Sequence, residues 1–147
     1  MSSAGRLPRG IVTLGYAGLA PFVAGVLGIA LLDGEPRLFA ARALVAYGAV
    51  ILSFLGAVHW GLLLHTQTKE TQSRLLAAVL PSLAAWGALL LSSSHGLALL
   101  AVAFGVFWLY EHRVAGERLL PPGYLELRRQ LTVAVCALLT LGLLAFG

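Results

Sequence analysis

Two ionisable clusters lie where the sequence leaves little room for water. His59 falls inside Leu44–Leu64, LVAYGAVILSFLGAVHWGLLL, a run without Asp, Glu, Lys or Arg. Glu111 and Arg113 flank His112 at the end of a second apolar run, in Tyr110-Glu111-His112-Arg113. An ionisable group within a membrane-length apolar run is costly to bury, which makes it a candidate functional site. Trp60 and Trp108 fall at comparable depths. His59, Trp60, Trp108, Tyr110, Glu111, His112 and Arg113 are therefore the candidate ligand-binding residues. Such a set could exchange protons between imidazole and carboxylate, or hold a quinone, pigment or haem through His59. The structural alternative makes His59 a neutral imidazole bonded to a neighbouring helix. Glu111 and Arg113 are then interfacial charges at a helix end.

Other chemistries lack their residues. There is no HExxH, CxxC, Gly-rich phosphate loop or Gly-x-Ser-x-Gly. His59 and His112 differ in depth by a turn or more, so they do not form the matched pair that haem held between helices requires. Cys136 is the single cysteine, with no partner for a disulfide or metal site. Ser92-Ser93-Ser94-His95 is a loop that makes a weak nucleophile. No catalytic residues and no metal ligands are assigned, and a non-enzymatic protein without a resident cofactor is expected. Quinone, pigment and haem stand as the alternatives.

The elements that must position these groups are membrane helices. The chain has 147 residues, 59% apolar and 11% charged, with a mean hydropathy of +0.90. Soluble domains carry about 25% charge, and a chain this short could not hide so much apolar surface in one core. A single all-α domain, 1–147, is expected: an integral membrane bundle of five transmembrane helices at about 11–32, 40–64, 75–91, 97–113 and 126–146. The first is too long for a signal h-region and no small-x-small cleavage site follows it, so it reads as a retained span. Pro21 predicts a break in it near Ala17–Pro21. Asp33-Gly34-Glu35-Pro36 reads as a turn and Ser92–Gly96 as a tight connection. The 114–130 stretch is amphiphilic and reads as lying along the headgroups, with its arginines facing anionic lipid. Ala49, Ser53, Ala57 and Gly61 recur every fourth residue and predict a thin packing face on the second span.

Five spans put the termini on opposite sides. Eight of the ten Lys and Arg residues then fall on the N-terminal side, which predicts an inner (cytoplasmic) membrane protein with a cytoplasmic N-terminus and a periplasmic C-terminus. The basic residues are dispersed among apolar spans, so nucleic acid is not an expected partner.

Four stretches carry a resemblance: YAGLAPFV (16–23), YGAVILSFLGAVHWG (47–61), LPSLAAWGALLL (80–91) and YLELRRQLTVAV (124–135). Together they resemble the domain of unknown function 3429 family, the transmembrane protein 69-like proteins. The SFLGAVHWG portion is the most specific, and it contains His59 and Trp60. The resemblance implies a multi-span inner-membrane protein, bacterial or mitochondrial, and brings no activity or catalytic residue. The function expected on these grounds is a structural or accessory subunit of a larger membrane complex, with membrane lipids and other integral membrane subunits as partners. The alternatives are a quinone-, pigment- or haem-binding protein using His59, and a small transporter or lipid-handling protein.

Overall fold

A computed structural model describes residues 9–65, 71–115 and 124–146. Among the described residues every regular element is helical: α1 (Arg9–Ala17), α2 (Ala20–Leu31), α3 (Gly34–His65), α4 (Thr71–Leu90), α5 (Ser93–Tyr110) continued by a π-helical turn (Glu111–Ala115), and α6 (Tyr124–Phe146). The paired segments α1–α2, then α3, α5 and α6 are each long and apolar enough to cross a bilayer; Leu75–Leu90 in α4 is a shorter apolar helix. The five-helix membrane bundle expected from the sequence is the observed fold.

The first span breaks where Pro21 demands it. Pro21 lacks the N–H that would bond the carbonyl of Ala17, and the chain turns at Gly18 and Leu19 before α2 begins. The Tyr47 hydroxyl crosses from α3 and donates to the Gly18 carbonyl at 2.9 Å, so a neighbouring helix satisfies the opened backbone. α3 starts earlier than the expected residue 40. Gly34 adopts φ +64°, which turns the chain sharply enough for Glu35 and Pro36 to enter the first helical turn, where proline has no bond to lose. The Ser92–Gly96 connection is shorter than expected for a related reason. The Ser92 side chain caps α5 by accepting from the His95 N–H, so helix begins at Ser93. Of the expected headgroup-lying stretch 114–130, residues 116–123 lie outside the described residues, and 124–130 form the first turns of α6.

Spans that follow one another in the chain alternate in direction. Gly25 lies against Leu44 and Gly28 against Ala40, so α2 and α3 are antiparallel. Gly15 faces Leu127 and Leu131 while Gly142 faces Ile29 and Val26, so the first span and α6 are parallel. Arg9 and Phe146 therefore lie at opposite ends of the bundle. At the Phe146 end, Arg37 donates to the carbonyls of Ala145 (2.7 Å) and Phe146 (3.0 Å) and sits over the Phe146 ring. That cation closes the carbonyl end of α6, where the helix dipole favours it.

The core runs along α3. Leu44, Leu52 and Leu55 meet Phe22 and Ile29 from α2, Leu97, Leu100 and Phe104 from α5, and Val135 and Leu139 from α6. Phe22 packs edge-on against both Tyr47 and Phe104. α3 and α4 come close at Gly56, where an added Cβ would lie 2.5 Å from the Ala78 carbonyl oxygen. The every-fourth-residue face behaves differently from expectation within the chain. Ala49 is buried and Ser53 half-buried, but Ala57 and Gly61 are exposed, and nothing lies within 4 Å of where a Gly61 Cβ would be. α3 is rotated so that its buried row continues through Gly56 and His59 instead.

Candidate functional site

Three helix ends converge at the Arg9 end of the bundle: the last third of α3, the end of α5 and the first turns of α6. Each supplies a polar side chain to one buried network. His59 of α3 is 1% exposed, Glu111 at the end of α5 is 0% exposed, and Arg128 and Thr132 of α6 are 4% and 5% exposed. Glu111 Oε2 lies 2.9 Å from His59 Nε2. Arg128 donates to Glu111 Oε1 from Nε (3.0 Å) and from Nη2 (2.6 Å), and from Nη1 to the Thr132 hydroxyl (3.0 Å). An ionised carboxylate only accepts, so His59 presents Nε2–H to it.

Local sequence explains how each group arrives. Arg128 and Thr132 are four residues apart and share one helical face, on which Leu131 and Val135 also point inward. Glu111 opens the π-helical turn, and its backbone N–H reaches the carbonyls of both Phe107 and Trp108. π turns recur at sites where one side chain is presented out of helical register. The His59 ring is held edge-on by Phe107 at 5.2 Å and Tyr110 at 6.1 Å.

The candidates named from sequence therefore separate. His59, Tyr110 and Glu111 are brought together. Trp108 and His112 stack on each other at 5.3 Å, and the Trp108 Nε1 is buried with no hydrogen-bond partner among the described residues. His112, Arg113 and Trp60 are exposed. Glu111 is a buried member of an ion pair and not the interfacial charge of the structural alternative. Arg128, taken with Arg129 as a headgroup arginine, is the residue that sequence reasoning missed, together with Thr132. Arg129 does face outward and pairs with Glu126. The available signal was the (i, i+4) pair Arg128–Thr132 on a stripe with Leu131 and Val135.

Arg128 also borders a cleft of about 360 Å³, within the usual range for small-molecule sites. On the first span the cleft is lined by Gly15 and Gly18, beside the break between α1 and α2. Its walls are apolar, from Ile11, Leu14, Phe22, Phe54, Leu131 and Val135, and Arg128 is the ionisable residue among its lining.

The bundle and its buried ion pair define a multi-pass α-helical membrane protein with a charged cluster beside a lipophilic cleft. The chain belongs to the family described as "Protein of unknown function (DUF3429)", whose sequence pattern matches residues 7–144. It is similar to Transmembrane protein 69 of Xenopus tropicalis, 36% identical over 128 residues, 86% of this chain and 50% of that protein. The chain thus spans about half the length of this curated relative. No solved structure matches it.

Proposed function

We propose that this protein is a non-enzymatic membrane protein that binds a lipophilic molecule in the cleft between α1, α2, α3, α5 and α6. The observation that carries this reading is the placement of Arg128, which joins an otherwise apolar cleft to the buried His59–Glu111–Arg128–Thr132 network. An apolar cleft with a single fixed polar group is the usual architecture of a ligand site. Within a bilayer it favours a molecule that partitions into lipid. The inner membrane, with the Arg9 end on the cytoplasmic side, is the compatible location, because among the described residues Arg9, Arg74, Arg113, Arg128 and Arg129 lie at that end against Arg37 and Arg42 at the other.

The test is extraction. Protein purified in mild detergent should release a lipophilic compound in stoichiometric amount. Leu131→Trp, which fills the cleft, should remove it while leaving helix content unchanged. Equal recovery from both proteins would refute the reading.

A second reading, an accessory subunit of a larger membrane complex, is favoured by Ala57 and Gly61. These small residues on α3 are exposed, and none of the described residues lies within 4 Å of where a Gly61 Cβ would be; small residues let a second helix come close in lipid. Native electrophoresis of the endogenous protein in mild detergent should then show a larger assembly that Gly61→Leu disrupts.

A further inference from the structure

We infer that the cleft selects a neutral lipophile with a carbonyl oxygen, and that Arg128 is the residue that recognises that oxygen. This deepens, and rests on, the ligand-binding reading above. The described bonds of Arg128 use three of its N–H groups, on Nε, Nη1 and Nη2. A guanidinium has five, so among the described residues one more on each of Nη1 and Nη2 has no acceptor. Those nitrogens are donors only, so they call for an acceptor. Charge decides which kind. The Arg128 and Glu111 charges cancel across their ion pair, so the guanidinium has already spent its charge on a carboxylate and has little to offer an anion. An anionic head would place an uncompensated charge beside groups that are almost wholly buried, where desolvation outweighs a single hydrogen bond. A carbonyl oxygen accepts the same hydrogen bond without that cost. The apolar walls, Leu14, Phe54, Leu131 and Val135 among them, suit the hydrocarbon attached to it. Thr132 and Glu111 hold the guanidinium from two sides, so its geometry is set before a ligand arrives.

Two kinds of membrane molecule share this chemistry, quinones and glycerol esters, and the experiment separates them. The full chain in dodecyl maltoside, a detergent without carbonyl groups, is titrated with a decyl-substituted benzoquinone, with dioleoylglycerol and with oleate, and binding is measured by equilibrium dialysis. The same titrations are made on Leu131→Trp and on the charge-neutral double variant Glu111→Gln/Arg128→Gln, which avoids leaving an unpaired buried charge. Saturable binding of the quinone or the diacylglycerol is expected, whichever is tighter naming the source. Binding should weaken about tenfold or more in the double variant, the scale of one lost hydrogen bond to a charged donor. Tighter binding of oleate than of either neutral probe would overturn the inference while leaving the cleft occupied. So would neutral-probe binding that is unchanged in the double variant but abolished by Leu131→Trp. Failure of every probe to bind the unmodified chain, or binding indifferent to Leu131→Trp, would overturn the cleft reading itself.

Discussion

Replacing Glu111 by Gln tests whether the polar cluster is an ion pair or ordinary interhelical glue. Glu111 has three close contacts, one with His59 and two with Arg128. If these were average hydrogen bonds between membrane helices, at about 0.6 kcal/mol each, losing all three would cost about 2 kcal/mol. If Glu111 instead neutralises Arg128, its removal leaves a guanidinium that is 4% exposed without a counter-charge, and the cost rises to about 3–5 kcal/mol. The neutral pair Glu111→Gln/Arg128→Gln removes both charges and keeps amides that can bond each other. It should therefore recover most of that loss. Reversible unfolding in mixed dodecyl maltoside and SDS micelles, followed by far-UV circular dichroism, measures the unmodified chain, Glu111→Gln, Arg128→Gln and the double variant. A coupling energy above about 2 kcal/mol in the double-mutant cycle supports an ion pair. A double variant whose loss equals the sum of the two single losses would refute it, because the two side chains would then act independently.

Gly56→Ala should destabilise the bundle by about 1–3 kcal/mol, since the added Cβ meets the Ala78 backbone and not a movable side chain. Gly61→Ala should stay within about 0.5 kcal/mol in the isolated protein, because nothing lies near it; the same unfolding assay reads both. Phe104→Ala, which empties a site in contact with Phe22, should cost about 3–5 kcal/mol. Arg37→Ala should loosen the end of α6, seen as faster amide exchange at Ala145 and Phe146.

The membrane class and the number of helices were legible because they follow from composition and run length, which no tertiary detail can hide. Pro21 announced the break in the first span for the same reason: a missing N–H is local. The helix starts were less legible. Gly34 with positive φ and Ser92 as a cap each extend a helix beyond its apolar run, and hydropathy does not see a polar first turn. Which face of α3 packs inward depends on its rotation. Ala49, Ser53, Ala57 and Gly61 form a credible thin face on their own, yet Gly56 and His59 lie on the row that α4, α5 and α6 cover.

Arg128 shows why the site was only half legible. In a membrane protein an arginine near a helix start normally reports topology, and Arg128 and Arg129 look alike in sequence. A helix separates adjacent residues by about 100°, so one of the pair can face lipid headgroups while the other faces the core. Which one turns inward depends on where a carboxylate waits. Acidic residues are scarce, with Asp and Glu together numbering six, and Glu111 at the end of an apolar run has few cations within reach. Once Glu111 is taken as buried, a buried cation becomes obligatory, because a lone carboxylate in that setting is too costly. The sequence offers Arg113, Arg128 and Arg129 near that depth. Arg128 alone shares its helix face with Leu131, Thr132 and Val135, and it is the one that pairs. Asking each buried acid for its base would thus have found this partner, while counting arginines by side had assigned it to the headgroups.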